Sequence, residues 1–155
     1  MSSLLEWFQA TGVAATVRDS LVLTAALSAV HLLGFTLVTG GALVSNLRLV
    51  GALFPRYPVV EVSRPASRGI AVGLVLSITT GLLLFAPRAI AASSNSTFQL
   101  KMLLLLGAAA FHVTLHRGVA WRPSTTPRLQ RLIGGVGLAL WLGLALAGCA
   151  FILLE

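Results

Sequence analysis

Four long apolar stretches, at about residues 20–47, 69–86, 98–116 and 132–154, constrain this chain more than any other feature of its sequence. At 1.5 Å rise per residue, ~20 residues cross the ~30 Å hydrocarbon layer of a bilayer. Each stretch exceeds or approaches that length. Backbone polar groups in hydrocarbon must be satisfied within the segment, which makes all four helical. The expected fold is therefore all-α: an integral membrane four-helix bundle, one domain over residues 1–155.

Composition points the same way. With 57% hydrophobic residues and only 11 Lys and Arg plus 4 Asp and Glu in 155, a soluble surface would have too few solvated groups. The formal charge of +7 would suggest nucleic acid in a soluble protein. Here the basic residues sit in short loops, where topology and anionic headgroups explain them, so the partner expected is the lipid bilayer and no nucleic acid. The first-to-second connection holds Arg48, Arg56, Arg64 and Arg68, and the third-to-fourth holds Arg117, Arg122, Arg128 and Arg131. Only Arg18, Arg88 and Lys101 fall on the other side. The positive-inside rule then places both Arg-rich loops in the cytoplasm and both termini outside, in a bacterial inner membrane. Pro55, Pro58 and Pro65 make the first of these loops partly extended, as Pro123 and Pro127 do the second.

Met1 to Gln9 carries Glu6 and no basic region, so it does not read as a cleaved signal. Ser3 and Glu6 have capping-box spacing, and Leu4, Trp7, Phe8 and Val13 make an apolar face. Residues 3–17 are expected to form a short interfacial helix with Trp7 at headgroup depth. Ala92 to Thr97 reads as a short outer loop. Cys149 is the only cysteine, which excludes an intrachain disulfide.

All three histidines, His31, His112 and His116, lie within or at the end of a span, where an unpaired imidazole is costly. His31 shares a face of the first helix with Thr24, Ser28, Gly34, Phe35 and Val38. Lys101, Leu105, Ala108, His112 and His116 form one stripe on the third helix. Counting inward from Asp19 and from Thr97, His31 lies ~18 Å deep, His112 ~22 Å and His116 ~28 Å. By that count His31 and His112 are nearly level, as two axial ligands of one haem iron must be. The alternative is that the imidazoles bond Ser, Thr or carbonyl groups across the bundle. On the second helix Gly69, Gly73, Ser77 and Gly81 recur every four residues. That stripe either admits the face of a flat macrocycle or packs another helix, from this chain or from a second copy in a homo-oligomer. Glu6, Asp19, Glu61 and Glu155 all lie outside the spans, so the interior offers no buried-acid proton path and no Ser-His-Asp chemistry.

His31-Leu32-Leu33-Gly34, then Asn46-Leu47-Arg48-Leu49-Val50-Gly51, then Thr80-Gly81-Leu82-Leu83-Leu84-Phe85 and Phe98-Gln99-Leu100-Lys101 resemble a family of small bacterial four-helix membrane proteins. The resemblance covers about Val30 to Arg117. More distantly, an early-helix histidine and a later Lys followed by a histidine are similar to the CopD-like copper-resistance and HemJ-like protoporphyrinogen-oxidase membrane proteins. For the HemJ-like group, the resemblance implies haem held by histidine. It would make His31 one axial ligand and His112 or His116 the other, with Lys101 and Arg48 available to propionates or lipid phosphate. Asn46 stands where the family string carries an acid. The function expected is a b-type haem protein for electron transfer, a cytochrome b-like subunit with haem between the first and third helices and electrons from quinone or a redox partner protein. The alternatives are a noncatalytic subunit that docks a partner through its Arg-rich loops, and a CopD-like transporter.

Overall fold

The computed structural model describes residues 2–122 and 125–153, with side chains over 3–122 and 125–150. Pro123 and the last part of the fourth predicted span fall outside these residues. Among the described residues the chain is helical throughout its ordered elements: α1 (Ser2–Gln9), α2 (Gly12–Asp19), α3 (Leu21–Val50), α4 (Val59–Phe85), a 3-10 turn (Ala86–Arg88), α5 (Ala89–Ser94), α6 (Ser96–Phe111), a π-helical turn (His112–His116), α7 (Arg117–Ala120) and α8 (Pro127–Leu153). Four helical stretches are long and apolar enough to cross a membrane: Leu21–Val50, Val59–Ser94, Ser96–Ala120 and Pro127–Ala150. Their outward faces carry large apolar side chains such as Leu33, Val75, Leu103 and Leu146, all exposed. A surface of that kind needs lipid around it, and the chain is an all-α bundle with the character of a multi-pass membrane protein.

α3 is the hub. It packs along α4 on one side and α8 on the other, while α6 packs mainly on α8, so α3 and α6 sit diagonally rather than face to face. Close backbone approach explains the tight seam between α3 and α4. A side chain at Gly34 would collide with the Ser77 Oγ at 2.6 Å and the Gly73 carbonyl at 2.9 Å, and one at Gly73 would meet the Gly34 carbonyl at 2.5 Å. The stripe read from the second helix is thus a helix-packing surface at Gly73, Ser77 and Gly81, whereas Gly69 faces open space. On the other side of α3, Gly134 and Gly137 of α8 leave room for the Asn46 backbone and side chain.

Local chemistry sets the boundaries, and several differ from expectation. The amino-terminal segment is two helices, because the Thr11 hydroxyl accepts from the Ala14 N–H and caps a second start. α3 ends at Gly51, whose φ of 90° is the left-handed cap that a residue without Cβ adopts freely. α4 begins ten residues before the predicted span, and Pro65 lies inside it rather than in an extended loop. Arg48 explains part of this. Its Nε donates to the Tyr57 carbonyl at 2.9 Å and its Nη2 reaches the same oxygen, tying the loop back to the end of α3 and launching α4 early. Beyond Phe85 the expected outer loop is mostly helical, and Asn95 accepts from the Thr97 and Phe98 N–H groups to start α6. Phe85 bridges Phe8 of α1 and Phe98 of α6, at centroid distances of 6.1 and 5.4 Å.

Candidate functional site

All four long helices contribute to one buried polar centre near the Arg-rich end. His112 and His116, 4% and 1% exposed, lie on the π-helical turn. There the Arg117 N–H reaches back five residues to the His112 carbonyl. That wider turn lines up side chains four apart, and the two rings stack at 4.6 Å with 26° between their planes. π-Turns of this kind are rare and concentrate at functional sites. The Nε2 of His112 pairs with Ser67 Oγ of α4 at 3.1 Å, and that of His116 pairs with Ser45 Oγ of α3 at 3.1 Å. Trp141 of α8 meets His112 edge-on at 6.3 Å. Beside them, Asn46 is fully buried and its amide donates to the Ala42 carbonyl at 2.7 Å. Several polar atoms here are buried without a partner: Nδ1 of both histidines, Ser63 Oγ, Asn46 Oδ1 and Trp141 Nε1.

His31 belongs to a second level, nearer the opposite end. Its Nδ1 lies 3.1 Å from Thr80 Oγ1, which itself donates to the Leu76 carbonyl at 2.6 Å. A hydroxyl has one proton, so Thr80 accepts from His31 and the proton sits on Nδ1. Gly81 makes the approach possible, since a Cβ there would stand 3.0 Å from His31 Cε1. Lys101 is within electrostatic reach of this ring, and its stem passes over Gly148. Between the two levels lies an apolar layer built on Val38, Ala42, Ile70, Ala108, Trp141 and Leu144.

No family model, curated protein or solved structure matches the chain. The geometry has to speak for the site by itself.

It separates His31 from His112. Their hydroxyl partners, Thr80 and Ser67, are thirteen positions apart on α4, a rise of ~20 Å. Counting inward from each helix start assumes that both helices begin at one level, an assumption that hydrogen bonds to a shared third helix do not need. Three features therefore argue against a haem between the first and third helices. The proposed ligands are not level, the Gly73–Gly81 slot is filled by Gly34, Val38 and His31, and the Nε2 atoms of His112 and His116 already face serines. Arg48 is committed to the loop carbonyls. Among the described residues no group of three or more His, Cys, Asp or Glu side chains could hold a metal ion.

The hydroxyl partners Ser45, Ser67 and Thr80, and the buried Ser63, are not singled out as site residues by the sequence, and Asn46 stands out there only as the residue where the family string carries an acid. Part of the signal is present: Ser45 and Asn46 are polar residues at the inner end of the first span, and Thr80 is one within the second, whereas Ser63 and Ser67 fall in the stretch read as loop.

Proposed function

We propose that the chain is a subunit of the bacterial inner membrane whose histidines fasten the bundle and whose Arg-rich face docks an acidic partner protein. The observation that carries this reading is that each of the three imidazoles pairs with a hydroxyl on a different helix: His31 with Thr80, His112 with Ser67, His116 with Ser45. An imidazole used in this way cross-links helices in a medium without water. Arg56, Arg122, Arg128 and Arg131 are exposed and supply the docking charge. Protein purified from haem-replete cells is expected to be colourless, with intact helical structure. A Soret band that survives purification would overturn this reading.

A second reading keeps a b-type haem protein for electron transfer but seats the haem at the π-turn, without the His31 ligand that the resemblance implies; it draws on the two buried, unpartnered Nδ1 atoms and the neighbouring Ser63 Oγ. These leave the π-turn with coordinating or hydrogen-bonding capacity that the described residues do not use. The same absorption spectrum decides between the two, and a positive result should disappear in His112→Ala but not in His31→Ala.

Sidedness follows from charge. With both Arg-rich connections in the cytoplasm and both termini outside, a cysteine placed at Pro58 should react with an impermeant maleimide only after the inner membrane is opened. Labelling of that position in intact cells with a permeabilised outer membrane would invert every loop assignment.

A further inference from the structure

At the Arg-rich end two guanidinium groups converge on one indole. The Arg117 Cζ lies 4.0 Å from the centroid of the Trp121 ring, one turn along the same helix, and the Arg64 Cζ reaches the same ring from α4 at 5.8 Å. The two cations are therefore within about one Debye length, ~8–10 Å, and repel each other. Among the described residues neither has a carboxylate partner; Glu61, three residues before Arg64, forms no ion pair with it. Two donors at this place are buried and unpartnered, Arg117 Nε and Trp121 Nε1. Cation–indole contacts hold the guanidiniums in position but supply no acceptor for their N–H groups.

We propose that Arg64, Arg117 and Trp121 form a binding site for the phosphate of an anionic lipid headgroup. A phosphate diester supplies the negative charge that two guanidiniums gathered on one indole lack and the oxygen acceptors that Arg117 Nε and Trp121 Nε1 lack. Location selects lipid over a soluble source. The site lies where α4 and α7 meet beside the loops, and tryptophan there marks the headgroup layer. This site is distinct from the arginines assigned to partner docking, and it does not depend on what the histidines do.

The test is native mass spectrometry of the full chain, titrated with phosphatidylglycerol or phosphatidylcholine. Wild type is expected to retain phosphatidylglycerol selectively. Arg117→Gln should weaken that binding at least about tenfold, the scale of one hydrogen-bonded charge. Arg117→Lys, which keeps charge but not the planar fork, should recover part of the loss. Arg64→Gln alters an exposed side chain and tests the site without threatening the fold; a several-fold loss is expected. Arg128→Gln, an exposed arginine of α8, should have no effect. Equal binding by wild type and Arg64→Gln would overturn the proposal, as would an equal loss in Arg128→Gln. Displacement of the lipid by millimolar inorganic phosphate would assign the site to a soluble phosphate and overturn the lipid assignment.

Discussion

Gly73→Leu is expected to disassemble the bundle. The Gly73 Cα position faces the Gly34 carbonyl, where an added Cβ would stand at 2.5 Å, and Val38 Cγ2 at 2.8 Å. Backbone and a buried branched side chain do not yield the way a flexible surface chain does. The helices must therefore part along their whole seam to admit a leucine. The loss should exceed ~3 kcal/mol, at the severe end for single substitutions. Detergent melting of Gly73→Leu beside Gly69→Leu checks it. Gly69 is on the same stripe and faces open space, so its variant should melt close to wild type. Equal behaviour of the two would mean that α3 and α4 do not pack as described.

The second large effect is expected at His116. Truncation to Ala removes one of the largest fully buried side chains, leaves Ser45 without its partner and removes the ring stacked on His112. Lost contacts and an unpaired hydroxyl together should cost on the order of 3 kcal/mol. His116→Gln, which can still offer an amide to Ser45, should recover part of it. His31→Ala should be milder, since His31 is half-buried and leaves Thr80 its bond to Leu76. If His116→Ala melts like wild type but alters growth or partner association, the histidine serves function and not cohesion.

How much of this was legible beforehand depends on the kind of information required. The four spans, the Arg-rich connections and the small-residue stripe follow from hydropathy, charge and spacing, which are local properties of a chain in a bilayer. Helix starts are less legible: nothing local announces that Arg48 will hold the Tyr57 carbonyl and draw α4 back to Val59. The histidine pairing was beyond reach for a further reason. Depth along one helix is readable at 1.5 Å per residue, but the vertical offset between helices depends on contacts such as Gly34 against Gly73. His112 and His116 falling on one stripe was readable; the π-turn that stacks their rings was not.

That π-turn also fixes the rotational phase of everything after it. An α-helix advances ~100° per residue, so the extra residue held in His112–His116 turns α7 by roughly that angle relative to an uninterrupted α6. The turn sets the azimuth at which Arg117 and Trp121 leave the bundle, bringing them round to Arg64. A single-codon deletion at Val113 would remove the extra residue and restore ordinary helical geometry with the indole still turned toward α4, whereas winding the turn into α-geometry at constant length would swing it away by more than a quarter of a turn. In evolutionary terms the arginine-bearing end is a module whose heading is set by one residue of slack upstream, open to change without any substitution in the module itself.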